Sequence, residues 1–303
     1  MVIQILGSAA GGGVPQWNCG CRQCDAARSG LIQTRSQCSV AITSDERRWV
    51  LINASPDLRT QLARLRSQPP SRTRRPPIES VLLSDADLDH TLGLFLLRES
   101  NWPVSIHASL AIQNAVEAGL RITEILNHYC GVKWVIAPSH FEPLRCRDGM
   151  EIGLEYRAFG IMGPGPRYSR SHHSSCRLFY VIRESATGKS VLLAPGIAKL
   201  EPQLLAELSQ ADVLLVDGTF WSNEDFHQSG IGDLATAELL ESHLPILNGS
   251  LETLAAQRAK YKIYLHLNNT NPILWDAGPE RQLLDNYKSR WPLTEGRSKY
   301  DTR

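Results

Sequence analysis

The sequence predicts a mixed, sandwich-like α/β (α+β) domain, on three observations. Short apolar runs bounded by turn residues recur along the whole chain. The early runs follow one another almost directly, whereas later ones alternate with helical patterns, which argues against a regular doubly wound sheet. Several runs are apolar on both faces, as central strands covered by helices must be.

The runs Val2 to Leu6, Ser39 to Thr43, Trp49 to Ile52, Ser80 to Leu83 and Val104 to His107 read as the early strands. Leu178 to Ile182, Val191 to Leu193, Asp212 to Val216 and Lys262 to Leu265 read as the later ones. A helix is expected over Pro56 to Arg66, with Ser55 as N-cap and Pro at its first position. Further helices are expected over Thr91 to Arg98, Ala111 to Ala118, Pro202 to Leu208, Asp233 to Ser242, Leu251 to Lys260 and Pro279 to Lys288. SQPPSRTRRPP, from Ser67 to Pro77, holds four Pro and three Arg and cannot be a helix or a central strand, so 68–77 is expected as a flexible loop. The polar end 296–303 is expected to fray. With no internal repeat and no second core apparent, a single domain over 1–303 is expected.

Composition narrows the function classes. Of 303 residues, 42% are hydrophobic and 21% charged, which excludes a disordered or collagen-like chain. Lys plus Arg (32) nearly equals Asp plus Glu (31), so bulk charge offers no attraction to nucleic acid or anionic lipid. No apolar run reaches the roughly 18 residues that a transmembrane helix needs. Seven cysteines is an odd number, and three crowd together at Cys19, Cys21 and Cys24, which reads as metal-binding thiols of a reducing, cytoplasmic compartment rather than disulfides.

Three constellations can carry chemistry. Cys19-Gly-Cys21-Arg-Gln-Cys24 puts three thiols on one loop, enough to converge on one ion at about 2.3 Å each. Tetrahedral zinc needs a fourth ligand, for which Asn269 and His172 are candidates. Cys38, Cys130, Cys146 and Cys176 stand alone and read as small core residues. The second constellation is Asp85, Asp87, Asp89 and His90, between the strand ending at Leu83 and a helix beginning near Thr91. Three carboxylates within six residues, beside one imidazole, repel one another unless a cation sits there. The third is a pair of strand ends carrying Asp217 and His266, the latter followed by Asn268, Asn269, Thr270 and Asn271. His266 reads as a metal ligand, and Asp217 as a ligand or an orienting partner. Asn268, Thr270 and loop residue His172 are candidates for substrate contact. There is no G-x-S-x-G elbow and no Walker loop.

Strand, acidic loop with His, strand-end Asp and strand-end His is the order of the metallo-β-lactamase superfamily, which this sequence resembles. The family's H-x-H-x-D-H loop reads here Asp85-x-Asp87-x-Asp89-His90, so two imidazoles are replaced by carboxylates. Longer strings sharpen the resemblance to the pyrroloquinoline quinone (PQQ) biosynthesis B family. They include Gly11-Gly-Gly13-x-Pro15-Gln-Trp-Asn-Cys19, Asn53-Ala-Ser-Pro-Asp57, Asp89-His90-Thr91-x-Gly93, Leu215-Val-Asp-Gly-Thr219 and His266-x-Asn-Asn-Thr-Asn-Pro-Ile-Leu274.

The resemblance implies a four-layer αββα metallo-β-lactamase-like sandwich with structural zinc on Cys19, Cys21 and Cys24. It also implies iron- and dioxygen-dependent hydroxylation of the tyrosine-derived ring of a cross-linked Glu–Tyr precursor. Asp89, His90 and His266 would supply the two imidazoles and one carboxylate of an Fe(II) site. Asp85, Asp87, Asp217 and His243 would line the site or take a proton. Two rivals stand beside this reading: a soluble carrier aiding transport of PQQ or its precursor to the periplasm, and a metal-dependent hydrolase or phosphodiesterase on the same fold. A homodimer is compatible with all three.

Overall fold

Every one of those nine expected strands forms in the computed structural model, which describes residues 1–65, 77–161, 163, 165–169, 177–225, 242–287 and 299–301. Among the described residues the strands are β1 (Val2–Gly7), β2 (Ser39–Thr43), β3 (Trp49–Ile52), β4 (Ile78–Leu82), β5 (Val104–Ala108), β6 (Val132–Ile136) and β7 (Glu142–Arg145). They continue with β8 (Glu151–Ile161), β9 (Arg177–Glu184), β10 (Ser190–Ala194), β11 (Val213–Asp217), β12 (Tyr261–Leu265) and β13 (Lys299–Asp301). These residues fall into two compact units, one within Met1–Leu6, Ser39–Ser190 and Gly296–Arg303, the other within Gly7–Cys38 and Val191–Glu295.

The first unit carries a seven-stranded sheet in the order β13-β1-β2-β3-β4-β5-β6. β2 and β3 are antiparallel, so a short turn joins them; β3, β4, β5 and β6 run parallel. Parallel neighbours need crossovers. Helix α2 (Leu58–Ala63) lies on the first, α3 (Leu88–Thr91) and a 3-10 turn (Leu92–Glu99) on the second, and α4 (Leu110–Leu120) with α5 (Ile122–Leu126) on the third. All residues of β3 and β4 are buried, and Trp49 is the largest side chain with no exposure. The same unit holds the antiparallel run β7-β8-β9. The second unit holds the parallel run β10-β11-β12, with helix α6 (Pro202–Gln210) between β10 and β11 and Pro202 at its first turn.

The differences from expectation have local causes. Strand β8 alternates, burying Ile152, Leu154, Tyr156 and Ala158 while its other face stays half-exposed, so it offers no apolar run. Strand β6 is an edge with exposed Lys133 and Ile136. The end expected to fray instead pairs Lys299–Asp301 antiparallel with β1, which would otherwise present an open sheet edge. Helix α3 starts at Leu88 rather than near Thr91 because Asp85 Oδ1 accepts the Asp87 backbone N–H at 3.0 Å and turns the chain early. The expected loop 68–77 (save Pro77), the expected helix over 233–241, and His172, His173 and Cys176 lie outside the described residues. No helix among the described residues is long and apolar enough to cross a membrane.

Candidate functional site

In the first unit, β4 delivers the chain into Ser84 and Asp85. Asn53, held in the left-handed region at φ 59°, faces them. Its Oδ1 accepts from the Ser84 N–H at 2.9 Å, and its amide donates to Ser84 Oγ at 2.9 Å. Ser84 Oγ in turn donates to Asp85 Oδ2 at 2.8 Å. A non-glycine residue persists in that backbone region where its surroundings over-determine it, and such positions cluster at functional sites. The Ala54 N–H donates to the His90 carbonyl at 2.7 Å, and Gly93 N–H to the Ala54 carbonyl at 2.8 Å. A Cβ on Gly93 would lie 2.2 Å from the Ser55 carbonyl oxygen, so only glycine permits this approach.

The loop's charges have distinct roles. His90 Nδ1 lies 2.7 Å from both Asp85 oxygens, which spends Asp85 on orienting the imidazole. His90 Nε2 therefore points away, 3.6 Å from Asp89 Oδ2. Burial opposes charge on His90, but Asp85 and Asp89 outweigh it and raise the imidazole to about 10. Burial likewise works against the Asp85 carboxylate, yet the His90 charge holds it well below the usual range. Asp87 behaves otherwise. Burial and the adjacent charges of Asp85 and Asp89 push it up to about 6, and its carboxylate makes no hydrogen bond among the described residues. A cation on Nε2 would displace the proton and relieve this crowding, so the residues present fit a metal.

The second unit carries two further imidazoles. Asp217 ends β11 with both oxygens saturated: Oδ2 accepts from the Ile197 N–H at 2.9 Å, and Oδ1 from the Thr219 N–H at 3.0 Å and its hydroxyl at 2.6 Å. Asp217 Oδ2 is also 2.6 Å from His243 Nδ1. Thr219 Oγ1 lies 3.1 Å from His243 Nδ1 and 2.9 Å from His266 Nδ1. The two rings stack at 5.4 Å, and His266, just past β12, sits at φ 58°. Burial would raise Asp217, but His243, His266 and Thr219 hold its carboxyl below its ordinary value. One ligand atom each from Asp217, His243 and His266 lies within 4.8 Å of the others. Nδ1 of both rings is engaged by protein groups, which fixes how each imidazole is oriented.

The same unit holds the thiol cluster. Cys21 caps helix α1 (Arg22–Arg28), its sulfur accepting the Cys24 N–H at 3.4 Å. Cys19 Sγ accepts from the Cys21 N–H at 3.4 Å and Cys24 Sγ from the Gln16 N–H at 3.3 Å. All three cysteines are buried and free of disulfides. The Asn269 amide lies 3.1, 3.6 and 3.3 Å from the sulfurs of Cys19, Cys21 and Cys24. Burial pushes the Cys19 thiol up to about 12, with Cys21 and Cys24 adding to it. Three sulfurs within 4.8 Å of one another fit a tetrahedral cation. Asn268 and Thr270 bond each other, amide to hydroxyl at 2.7 Å, and the Thr270 carbonyl accepts from Gln23 at 2.7 Å. Of the lone cysteines, Cys38 and Cys146 are buried and Cys130 is half-buried. The sequence reading did not single out Asn53, Ser84 or Thr219 as functional. Asn53 and Thr219 stand in strings that carried the family resemblance, and that was the available signal.

The model of the β-lactamase superfamily domain matches residues 48–267. Coenzyme PQQ synthesis protein B of Methylococcus capsulatus is 36% identical over 292 residues, covering 94% of this chain and 95% of that one. Its counterpart from Cupriavidus necator is 36% identical over 294 residues, covering 93% and 94%. Among solved structures, Zn2+-bound PqqB from Methylobacterium extorquens superposes with a TM-score of 0.87 at 30% identity, covering 99% of this chain and 100% of that one. A diphosphatase of the PhnP family, at TM-score 0.69 and 17% identity over 100% and 98% of the two chains, shares the fold alone. The fold is thus that of the metallo-β-lactamases, mixed α/β with two sheets flanked by helices.

Proposed function

The chain belongs to the coenzyme PQQ synthesis protein B family of the β-lactamase superfamily, and from that membership we propose that it serves PQQ biosynthesis as an iron- and dioxygen-dependent hydroxylase. The substrate is the cross-linked Glu–Tyr precursor, and its tyrosine-derived ring is the part hydroxylated. Asp89, His90 and His266 hold the iron, and Cys19, Cys21 and Cys24 hold a structural zinc. On this reading the chain works in the cytoplasm as a single metallo-β-lactamase-like domain.

The observation that supports this most is the position of Asp85. It stands where the superfamily loop carries a metal-binding imidazole, and both its oxygens are spent on His90 Nδ1. A pair of imidazoles and one carboxylate remain from the family pattern, the donor set of ferrous oxygenases. Iron in such a set supplies open positions for dioxygen and substrate. The protein's own groups do the rest. Asp85 keeps His90 in one tautomer, and Asp217 and Thr219 do the same for His243 and His266. Asp87, raised to about 6, is poised to take the proton leaving the ring hydroxyl. Asn268 and Thr270 serve as substrate contacts beside His266.

The test is reaction of the ferrous-loaded protein with the cross-linked amino acid and dioxygen, with ascorbate as the two-electron donor that reduces the second oxygen atom to water, followed by mass spectrometry. Dioxygen-dependent gain of oxygen on the ring is expected, with loss of at least about a hundredfold in Asp89→Ala. Turnover of a generic phosphodiester without dioxygen would install the hydrolase instead. Tight binding of PQQ without turnover would install the carrier.

A further inference from the structure

The first unit contains a cavity of about 540 Å³, within the range of small-molecule sites. Asp85, Asp87, Asp89 and His90 do not line it. Leu97, Trp102, Val104, Val135 and Pro143 are among its apolar lining residues. At its base, His107 Nδ1 and the Tyr156 hydroxyl lie 2.6 Å apart, and Ser105 Oγ is 3.1 Å from His107 Nε2. That base carries no net charge, because burial and the Lys133 charge hold His107 down at about 4.

The charges around the cavity are not all paired alike. Arg147 is tied to buried Glu79 at 3.0 Å and Arg145 to Glu151 at 2.7 Å, which neutralises both. Two exposed groups of opposite sign are left. Lys133 has no ion-pair partner among the described residues, and its charge acts on His107. Glu142 lies 3.1 Å from exposed His140, and its charge acts on Tyr156. A cation acting on His107 and an anion acting on Tyr156, with apolar side chains among the lining, complement a zwitterion bearing an apolar body.

We propose that this cavity is a binding site for a free α-amino acid with a large apolar side chain, its carboxylate meeting Lys133, its ammonium meeting Glu142 and its side chain covered by Trp102 and Val135. A ligand with only one of the two charges leaves the other group unanswered. Each exposed charge contact accounts for about a fivefold change in Kd.

Isothermal titration of the full chain with L-phenylalanine, phenethylamine and 3-phenylpropionate tests this. L-Phenylalanine is expected to bind about fivefold more tightly than either analogue. Lys133→Gln should weaken phenylalanine and phenylpropionate but leave phenethylamine unchanged, and Glu142→Gln should do the converse. Both are surface changes that leave the fold intact. The Asp89→Ala protein, which keeps the buried Asp85–His90 pair, should bind all three as the wild type does, which separates this site from the metal loop. No binding by phenylalanine, equal binding by the three compounds, or loss of binding in the Asp89→Ala variant would each overturn the proposal.

Discussion

His90 and His107 belong to the same unit and are both buried, at 2% and 7% exposure, yet they titrate in opposite directions. His90 faces Asp85 and Asp89 and rises to about 10; His107 faces Tyr156 and the Lys133 charge and falls to about 4. Burial penalises the charged form of both alike, so the sign is decided by the partner. One imidazole sits among anions that invite a cation. The other is kept neutral as part of a hydrogen-bonded cavity base.

Removing the anion is the strongest way to break this contrast. Asp85→Ala leaves a buried imidazolium without its main partner and should destabilise the metal-free protein by about 3–5 kcal/mol at neutral pH, read by urea unfolding. A loss under about 1 kcal/mol would mean that His90 is not held as a buried cation. The pH profiles sharpen the contrast next. The folded value of His107, about 4, lies below the ordinary 6.5, so in that window the unfolded chain takes up the extra proton. Stability from this group is therefore lost as pH falls from about 6.5 to 4, by about 3 kcal/mol, and His107→Gln should flatten the profile there. For His90 the folded value is higher than the unfolded one, so in metal-free protein its contribution is full below about 6.5 and is lost as pH rises towards 10. Unfolding free energies across pH 4–10 in wild type and the two single variants check both slopes.

How much of this was legible in the sequence follows from distance along the chain. Asp85 and His90 are five residues apart, so their clustering was visible as a pattern. Asp217 and His243 are 26 apart and His107 and Tyr156 49 apart, so only folding brings those partners together. Strand-end placement made Asp217 and His266 readable as site residues, but the sharing of Thr219 Oγ1 between two imidazoles left no local trace. The apolar runs located β1 to β5 and β9 to β12 because these strands are buried over most of their length. Strands β6 to β8 face the core on alternate residues or only partly, and escaped for that reason.

Smaller effects probe the two hydrogen-bond networks. Thr219→Val removes a buried hydroxyl that serves Asp217, His243 and His266 and should cost about 1–3 kcal/mol by urea unfolding, because its partners lose a hydrogen bond. Tyr156→Phe, which removes one neutral hydrogen bond to His107, should cost about 1 kcal/mol and leave the His90 titration seen by NMR unchanged.

Metal content per chain after anaerobic loading with ferrous iron tests the proposed hydroxylase most directly. Wild type would be compared by mass spectrometry with a Cys19→Ser/Cys21→Ser/Cys24→Ser variant and with Asp89→Ala/His90→Ala. One zinc lost only with the cysteines and one iron lost only with Asp89 and His90 is the predicted result. Iron retained without Asp89 and His90, or two zinc ions lost with them, would contradict it.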